Sequence, residues 1–434
     1  MLPRRTFLAA TLLLAAPLAA RAQQPGSARR IGVLAQDLQP GLLETFRDEF
    51  TGGWLFNYAR ALERCGVRTV LIYASARVEQ AERFTHVESG VTVWMLPSPR
   101  LHRKVRNARH RYAPDSPALL AAASYVSLPL RLLRRVLRDE HCDAILCQEY
   151  EQPRFDVCVL LGRLLRLPVF ATYQGANETR SWAEVPIRRL SVRGAAGLII
   201  PSLDEIARVT RAYRVASRTI GVIPNPVEVV PSGPARRQAA RAELGIGTAT
   251  RVVAWHGRIQ IHKKGLDVLA DAWDRVCSAR PEADILLLLV GTGRDADRLR
   301  ERLGSTGRVH WIDRYVYDRQ QLWSYLQAAD IYAIPSRYEG FAVATLEAMA
   351  CGLAVVGSAV SGVAEALGRG EADGGLLVPC DDAAALAAAL VRLLDDPELT
   401  RQLGDRGRRR VDAEYSLDVI GPKLRAFLFP DQPA

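Results

Sequence analysis

The chain has 434 residues, of which 49% are hydrophobic and 24% charged, and its formal net charge is +11. This length exceeds one ordinary hydrophobic core and predicts two domains, while the composition excludes a disordered or fibrous protein. The positive charge favours anionic partners such as phosphates or anionic lipid. A nucleic-acid-binding protein is not predicted, because no recognition motif accompanies the charge.

Residues 1–28 have the pattern of an export signal. Arg4 and Arg5 precede an apolar run at 7–20, and a small-x-small cleavage pattern follows at 20–22. The apolar run is too short to span a bilayer. The alternative is a misassigned start, with the working protein beginning near residue 29. The fold prediction leaves this leader out.

From residue 29 to 228, apolar runs typical of strands alternate with amphipathic runs typical of helices. A long helical run at 116–140 contains Pro129, which predicts a kink or break. Seven cysteines occur, none in a CxxC pair, so neither a disulfide framework nor a zinc site is predicted. The predicted strands are 30–35, 67–74, 86–97, 142–149, 168–175, 197–202 and 219–227.

The alternation begins again after a stretch rich in Pro, Gly and Ser at 227–237, which is a plausible linker. The predicted strands of this second half are 251–257, 283–291, 309–313, 330–336, 353–358 and 374–379.

The predicted fold class is therefore α/β, with two doubly wound parallel sheets facing each other across a deep cleft. The domains are predicted at 29–228 on the acceptor side and at 229–412 for the nucleotide. The last segment, 413–434, is amphipathic and is expected to pack across both domains. Ligands of such sheets bind at the carboxyl ends of the strands, which here places the site in the cleft.

A pair of basic residues follows the first strand of the second domain. Gly257 and Arg258 come at the strand end, and Lys264 and Gly265 come just before a helix. An arginine and a lysine brought together by a short loop form a clamp for phosphate. The alternative is a solvated basic loop, but the combined pattern favours the clamp.

The next strand ends in a glycine-containing turn. Gly291 and Gly293 allow the backbone to approach a ligand, although any tight turn could use them. Asp295 and Asp297 resemble a metal-binding DxD pair. We interpret them instead as first-turn acids of a helix, where the helix dipole favours negative charge.

Two glutamates stand eight positions apart in the third loop. Gly340 and Phe341 keep Glu339 outside any helix, whereas a helix from about Ala342 leaves free N–H groups suited to phosphate oxygens. Glu347 then lies inside this helix among apolar neighbours, and a buried acid needs partners. Cations, free amides and hydroxyl-binding carboxylates together suit a diphosphate flanked by two sugars, which is a nucleotide sugar.

With these motifs the chain resembles the retaining glycosyltransferases of family 4, which have the GT-B fold. The resemblance runs from Arg30 to about Phe429 and is strongest at 257–364, where the two glutamates and the GR…KG pair lie. It implies a metal-independent transfer of a sugar from a nucleotide-diphosphate sugar to a glycan or lipid-linked acceptor, with the anomeric configuration retained. The nucleotide sugar is then a co-substrate, and no cofactor is expected.

The resemblance also implies roles for individual residues. Three catalytic residues are expected: Arg258 and Lys264 at the donor diphosphate, and Glu339 at the donor-sugar hydroxyls. Glu347 is expected at the nucleotide ribose, and Gln174 stands where the family often has a histidine. The other expected donor-binding residues are Gly52, Gly53, Gly291, Gly293, Gly340, Phe341 and Ala342.

The acceptor is expected to bind the first domain. The segment 99–136 combines a basic stretch at 99–114 with an amphipathic run, which fits either an anionic membrane surface or a solvated loop with an ordinary packed helix. Acidic and basic side chains that follow a buried strand are further candidates for the acceptor pocket, namely Glu149, Glu151, Arg154 and Asp156.

Two other functions are possible from the sequence. A nucleotide-sugar epimerase of similar fold would need an acid/base set that is not evident. An exported two-lobed solute-binding protein is favoured only by the leader and does not account for the GR…KG and two-glutamate motifs. Because nucleotide sugars are cytosolic, we expect a cytoplasmic protein, with the inner face of the membrane as one location open to it, although the leader conflicts with this.

Overall fold

The computed structural model describes residues 28–35, 53–113, 116–175, 184–304 and 308–430. The chain forms two compact units. Of the described residues, the first unit comprises those within 28–35, 58–224 and 421–430, and the second comprises those within 53–57 and 225–420. Both contain a largely parallel sheet with helices, so the predicted α/β class is confirmed.

The described residues of the first unit form eight strands, which are β1 (Arg29–Leu34), β2 (Val67–Ser75), β3 (Glu82–Thr85), β4 (Thr92–Pro97), β5 (Ala144–Cys147), β6 (Val169–Thr172), β7 (Gly197–Ile199) and β8 (Ile220–Gly221). They form one sheet in the order β3-β4-β2-β1-β5-β6-β7-β8. Every neighbouring pair is parallel except β3 and β4, which are antiparallel. The predicted strand at 86–97 is therefore too long, because its first half is the turn between β3 and β4.

The helices of this part of the chain are α1 (Gly53–Arg64), α2 (Arg100–Tyr112), α3 (Pro117–Tyr125), α4 (Leu130–Asp139), α5 (Pro153–Leu165), α6 (Glu184–Gly194) and α7 (Leu203–Tyr213). Pro129 immediately precedes α4, which confirms the predicted break. In α4 the apolar side chains Leu133, Val136 and Leu137 are buried. The helix is thus an ordinary packed one with its arginines outward.

In the described part of the second unit there are six strands, which are β9 (Arg251–His256), β10 (Ile285–Val290), β11 (Val309–Ile312), β12 (Ile331–Ile334), β13 (Ala354–Ser358) and β14 (Gly375–Val378). Their spatial order is β11-β10-β9-β12-β13-β14, and all pairs are parallel. Renumbered from the first strand of this sheet, the order reads 3-2-1-4-5-6. The topology reverses between β9 and β12, which is where ligands of such sheets bind.

The helices of the second unit begin with α8 (Pro234–Glu243), α9 (Ile261–Lys264), α10 (Leu266–Ala279), α11 (Ala296–Leu303) and α12 (Arg319–Gln327). They continue with α13 (Val343–Ala350), α14 (Ala364–Leu367), α15 (Ala383–Asp395) and α16 (Pro397–Arg410). A last helix, α17 (Leu417–Leu428), begins in the second unit and ends in the first.

Helices on both faces of the second sheet explain why its strands are apolar throughout. The residues of β10 read ILLLLV, and nearly all of them are buried. Strands covered on both faces lose the alternation of apolar and polar residues. Trp255 of β9 and Trp273 of α10 lie in the same core and are almost completely inaccessible to solvent.

The division between the two units falls between Pro224 and Asn225. The sequence-based boundary lies four residues later, within the stretch interpreted as a linker. The whole of that stretch belongs to the second unit, and its Val227 and Val230 are buried in one of the core clusters there. The Pro, Gly and Ser residues after them lead directly into α8.

The end of the chain completes the first unit. A Cβ atom at Gly197 of β7 would lie 2.5 Å from the ring of Phe427, and one at Gly221 of β8 would lie 3.1 Å from it. The same ring packs against Phe170 of β6, with 5.7 Å between ring centroids. The two glycines thus leave the space that Phe427 fills against the edge of the sheet.

Helix α2 was not predicted as a helix. Its sequence, RLHRKVRNARHRY, has five arginines, one lysine and no acid, and none of its residues is buried. The charged residues obscure its amphipathic period. His102 connects it to α3, because its ring nitrogen Nδ1 lies 2.8 Å from the carbonyl of Ala123. Within the described parts of the chain, no helix is both long and apolar enough to cross a membrane.

Candidate active site

Two loops pack backbone against backbone at the carboxyl ends of β9 and β10. Gly291 has a φ of +135°, and a Cβ atom there would lie 1.9 Å from the carbonyl oxygen of Gly257. A Cβ atom at Gly293 would lie 2.3 Å from the carbonyl oxygen of Ile259. A larger residue at either position would therefore clash with the neighbouring loop, which explains why glycine is required there. Their predicted contact with the donor stays a prediction.

The following turn brings Lys264 to Glu339. Gly265 adopts a left-handed conformation, and its Cα lies so close to the third loop that a Cβ would be 1.9 Å from the carbonyl of Pro335. Lys264 Nζ donates to Glu339 Oε1 over 2.7 Å, and Ser336 Oγ donates to the same oxygen over 2.7 Å. Two of the three predicted catalytic side chains are thus in direct contact.

Arg337 fastens these two loops together, and the sequence analysis did not single it out. Its guanidinium donates to both carboxylate oxygens of Asp267 over 2.8 Å and to the carbonyl of His262 over 2.9 Å. It also pairs with Asp381. The Asp267 and Asp381 carboxylates raise the pKa of the Arg337 guanidinium, so it stays charged. A bidentate arginine in this position holds the Lys264 turn against the Glu339 loop.

The junction after Glu339 has the predicted form. Gly340 and Phe341 lie outside any helix, and α13 begins at Val343. The amide of Ala342, which the resemblance assigns to phosphate binding, donates to the carbonyl of Gly362 over 3.2 Å. In this structure that N–H group is therefore already engaged.

Glu347, on α13, lies at the centre of a buried polar cluster. Its side chain is only 7% exposed, and each of its carboxylate oxygens has a protein partner. Oε1 accepts from Arg319 over 2.5 Å, and Oε2 accepts from His256 Nε2 over 3.0 Å. His256 ends β9 and Arg319 begins α12, so three separate elements contribute. The predicted burial of Glu347, with partners, is confirmed.

The electrostatics of this cluster keep Glu347 ionised. Burial alone would raise the pKa of Glu347, but the Arg319 charge and the hydrogen bonds from His256 and Arg319 lower it from its usual value of 4.5 to about 2. Against an ionised carboxylate, His256 Nε2 must carry the hydrogen. Its other ring nitrogen, Nδ1, is buried and has no hydrogen-bond partner among the described residues.

The cluster forms one wall of a cavity of about 200 Å³ in the second unit. The cavity opens at the carboxyl ends of the strands, where the topology of the sheet reverses, and this is the location that the fold predicts for a ligand. Its other walls are mainly apolar and aromatic. The lining residues are Trp54, His256, Gly257, Val290, Gly291, Tyr315, Val316, Arg319, Leu322, Val343 and Glu347.

Three further predicted residues lie on other described segments of the chain. Arg258 is exposed on the loop after β9. Gly52 lies outside the described residues, and Gly53 is the first residue of α1. Gln174 belongs to the first unit, where its backbone amide donates to Glu149 Oε2 over 3.0 Å.

Two of the acids proposed for the acceptor pocket are buried and paired with arginines. Glu151 pairs with Arg208 and accepts from the hydroxyl of Tyr213 over 3.0 Å. Asp156 pairs with Arg188 over 3.2 Å and accepts from a tyrosine hydroxyl. Both acids are almost completely buried. Arg188 and Tyr213 are buried, whereas the Arg208 side chain is 37% exposed. The prediction that these acids line a pocket stays a prediction.

The aspartates after β10 have the role that we preferred on sequence grounds. Asp295 directly precedes α11 and Asp297 lies in its first turn. Asp295 accepts from the amide of Ile261 over 3.0 Å, and Asp297 pairs with Arg300 on the same helix. Throughout the described ranges, no group of three or more His, Cys, Asp or Glu side chains is arranged to hold a metal ion.

Two family descriptions cover most of the chain. Residues 55–226 match the family described as a glycosyl transferase 4-like domain, and residues 250–396 match the glycosyl transferases group 1. The second range includes every residue of the Lys264–Glu339 pair and of the Glu347 cluster.

Individual relatives agree with this. The chain is 33% identical over 262 residues to a GDP-mannose-dependent monoacylated alpha-(1-6)-phosphatidylinositol monomannoside mannosyltransferase of Corynebacterium glutamicum, covering 57% of this chain and 66% of that protein. It is 25% identical to the lipopolysaccharide core biosynthesis mannosyltransferase LpsB of Rhizobium meliloti, over 60% of this chain and 72% of the relative. The match to an alpha-maltose-1-phosphate synthase of Mycolicibacterium smegmatis is 31% identical and spans 64% of that protein.

Solved structures of low sequence identity share the fold over the whole chain. Sucrose-phosphate synthase from Thermosynechococcus elongatus superposes with a TM-score of 0.71 at 22% identity, covering 93% of this chain and all of the other. The Anabaena protein HepE, in complex with UDP and glucose, gives a TM-score of 0.66 at 19% identity, covering 92% of this chain and 98% of the other. None of these matches supports the solute-binding or epimerase alternatives.

Proposed function

Because the chain belongs to the group 1 glycosyltransferases of family 4, with the GT-B fold, we propose that it transfers a sugar from a nucleotide-diphosphate sugar to a glycan or lipid-linked acceptor. We further propose that the anomeric configuration is retained and that no metal takes part. The matched part of the chain spans between half and three-quarters of the curated relatives. The donor, the acceptor and the stereochemistry of the transfer are therefore proposals for this chain.

One observation carries the proposal. An ionised, buried carboxylate, Glu347, forms the wall of a cavity at the switch point of the second sheet, beside the unsatisfied Nδ1 atom of His256. Buried polar atoms in native proteins nearly always have partners. A ligand with several hydroxyl groups and N–H donors, such as a nucleoside, supplies partners for both groups.

The charged groups nearby suit the rest of the donor. Lys264 and the exposed Arg258 are the cations proposed for the diphosphate, where they stabilise the charge that develops on the leaving group. Glu339, held by Lys264 and Ser336, keeps lone pairs for hydroxyl groups of the transferred sugar. Since no side chain here is proposed as general base, the departing phosphate would take the acceptor proton on the same face, which gives retention.

The proposal is tested by a donor screen. Ligand binding raises the melting temperature by mass action, and a ligand present at 100 times its dissociation constant stabilises by about 2.7 kcal/mol. We expect UDP-, GDP- or ADP-sugars to raise the melting temperature of the wild-type protein. Arg258→Ala and Glu347→Ala should reduce that shift while the protein still folds. The absence of any shift with all three classes would contradict the proposal.

A second part of the proposal concerns the acceptor. The Corynebacterium relative is named for a phosphatidylinositol-linked acceptor and the Rhizobium relative for lipopolysaccharide core synthesis. By analogy we propose an acceptor with a lipid anchor, presented at a membrane surface. This places the working protein in the cytoplasm, where its donor is made, at the inner face of the membrane.

Helix α2 is the part of the first unit that suits such a surface. It carries cations without acids and buries none of its residues, and Leu101 and Tyr112 are 56% and 73% exposed. Each arginine or lysine near an anionic bilayer contributes about 1 kcal/mol of attraction. The proposed membrane contact of segment 99–136 is therefore assigned to α2 rather than to α4, whose apolar face is already buried.

A further inference from the structure

Arg319 occupies a position that is unfavourable for a cation unless a specific partner stabilises its positive charge. It is the first residue of α12, and the positive end of a helix dipole repels positive charge. It is also 7% exposed, and a buried guanidinium needs compensation. The compensation is the contact with Glu347 together with the ring of Trp323, which lies 5.4 Å from the Arg319 guanidinium carbon.

The two partners of Glu347 leave part of the carboxylate available. An ionised carboxylate offers about four lone-pair positions on its two oxygens. Arg319 uses a position on Oε1, and His256 uses one on Oε2. About one acceptor position therefore remains on each oxygen, and both oxygens belong to a residue that lines the cavity. Two adjacent hydroxyl groups, as on a ribose ring, match this remaining capacity.

We propose that Arg319 is a positioning residue of the donor site: with His256 it fixes the Glu347 carboxylate, ionised and in one orientation, so that both oxygens accept ribose hydroxyl groups. This rests on the proposed function, because the ribose belongs to the nucleotide sugar. Arg319 acts through Glu347 and makes no bond to the reacting atoms. Its effect falls on donor affinity, and the chemical step does not depend on it.

The proposal implies a specific pH dependence. Burial favours the neutral form of Glu347, and the Arg319 charge is the largest influence that opposes it. Without that charge, the carboxyl group takes up a proton as the pH falls, and a protonated carboxyl loses acceptor capacity. Donor binding by a variant without Arg319 should therefore weaken as the pH falls, whereas binding by the wild type stays level.

The test compares donor kinetics of Arg319→Met and Arg319→Lys between pH 5 and 9. The probe is whichever of GDP-mannose, UDP-glucose and ADP-glucose raises the wild-type melting temperature. For Arg319→Met we expect KM for the donor to rise about 10- to 100-fold, the loss typical of hydrogen bonds to charged groups, and to rise further as the pH falls. The value of kcat should change little, and Arg319→Lys should restore much of the affinity.

The matched control is Arg280→Met. Arg280 also pairs with an acid, Asp395, but in solvent and away from the cavity. This variant removes the same charge and should keep wild-type KM and pH dependence. If Arg319→Met also keeps them, or if it lowers kcat as strongly as it raises KM, the proposal is overturned.

A second pair of variants covers the case in which Arg319→Met does not fold. Glu347→Gln removes the charge that Arg319 compensates, so Arg319→Met/Glu347→Gln leaves no buried carboxylate. If Arg319 acts through Glu347, the double variant has the same donor KM as Glu347→Gln, independent of pH. Additive losses overturn the proposal. A wild-type protein that responds to none of the three nucleotide sugars would instead refute the proposed function.

Discussion

Glu347 in the second unit and Asp156 in the first are both buried acids, and each is paired with a buried arginine. Their pKa values nevertheless move in opposite directions. Burial raises the pKa of Asp156 in spite of Arg188, whereas the influence of Arg319 and His256 overcomes burial and lowers the pKa of Glu347 to about 2. The pairing of an acid with an arginine does not by itself distinguish a binding site from a structural contact.

The difference lies in how each arginine is used. Arg319 gives Glu347 a hydrogen bond of 2.5 Å at the wall of a cavity. Arg188 donates instead to the backbone carbonyls of Tyr150 and Gln152, and its contact with Asp156 is the longer 3.2 Å. Arg188 therefore ties a loop together, and Asp156 is its counter-charge. Glu347 is held as an acceptor that still has capacity for a ligand.

The largest expected effect is on stability, from Arg188→Met. This change leaves Asp156 buried without its cation, and breaking a buried pair in this way costs about 3–5 kcal/mol. We expect a large loss of stability in urea unfolding followed by circular dichroism. Asp156→Asn/Arg188→Met should recover part of it, because no buried charge remains. If the Arg188→Met variant stays stable and loses only sugar transfer, Asp156 would instead be assigned to the active site.

The next effect is on catalysis, from Lys264→Met. If Lys264 stabilises the leaving diphosphate, kcat/KM should fall about 10²- to 10³-fold, as for the loss of one transition-state contact. Its partly exposed pair with Glu339 contributes at most about 1 kcal/mol to stability. Steady-state kinetics and thermal unfolding of the same preparation separate the two. A melting temperature that falls while kcat/KM is unchanged would assign Lys264 a structural role only.

The loss of folding stability at low pH should depend on the protonation of Glu347. Its pKa is about 2 in the folded protein and near 4.5 when unfolded, so its contribution is fully present above pH 4.5 and is lost as the pH falls toward 2. The shift corresponds to about 3 kcal/mol. We expect the stability of Glu347→Gln to depend less steeply on pH between 4.5 and 2 than that of the wild type.

Glu398 provides the matched control for this measurement. Arg401 and Gln402 also lower the pKa of Glu398, but its side chain is 61% exposed. Solvent and salt screen such a pair, so Glu398→Gln should retain the wild-type acid dependence. An equal change in both variants would mean that burial of Glu347 does not set its effect.

The smallest expected effect is on membrane binding, where partly exposed arginines replace the buried ones of the comparison. Neutralising Arg103 and Arg106 of α2 should weaken binding to vesicles containing phosphatidylglycerol by about 2 kcal/mol, at about 1 kcal/mol per charge. Sedimentation with vesicles, repeated with neutral phosphatidylcholine, measures this. Neutralising Arg134 and Arg135 of α4 is the control, and an equal loss there would remove the assignment to α2.

The sequence was sufficient for most of the strands and for the two-glutamate motif, but β3 was missed and β4 was predicted too long. Apolar runs bounded by glycine and proline mark both sheets. Lys264 is followed directly by Gly265, and Glu339 directly by Gly340, so each motif can be recognised within a few residues. These signals are local, since they depend on residues that are close in the chain. The resemblance to family 4 glycosyltransferases was confirmed, because it rests on the same local motifs.

The partners of Glu347 could not be predicted, because they come from distant positions. Arg319 is 28 residues before it and His256 is 91 residues before it. A buried acid requires a cation, but many arginines are available and only the topology selects one. Arg337 was missed for the same reason. Glu151 and Asp156 were proposed for a pocket because they follow a strand, and nothing in the sequence indicated their arginine partners either.

The position of Phe427 also has a consequence for the order in which the protein can fold during synthesis. The ring covers the β6–β7–β8 edge of the first sheet, yet it follows the entire 225–420 portion of the second unit along the chain. Domains emerging from the ribosome usually fold in order from the N-terminus. Here the second unit is complete before the first receives its last piece. On the ribosome, the half of the protein that is translated first is therefore the half that is finished last.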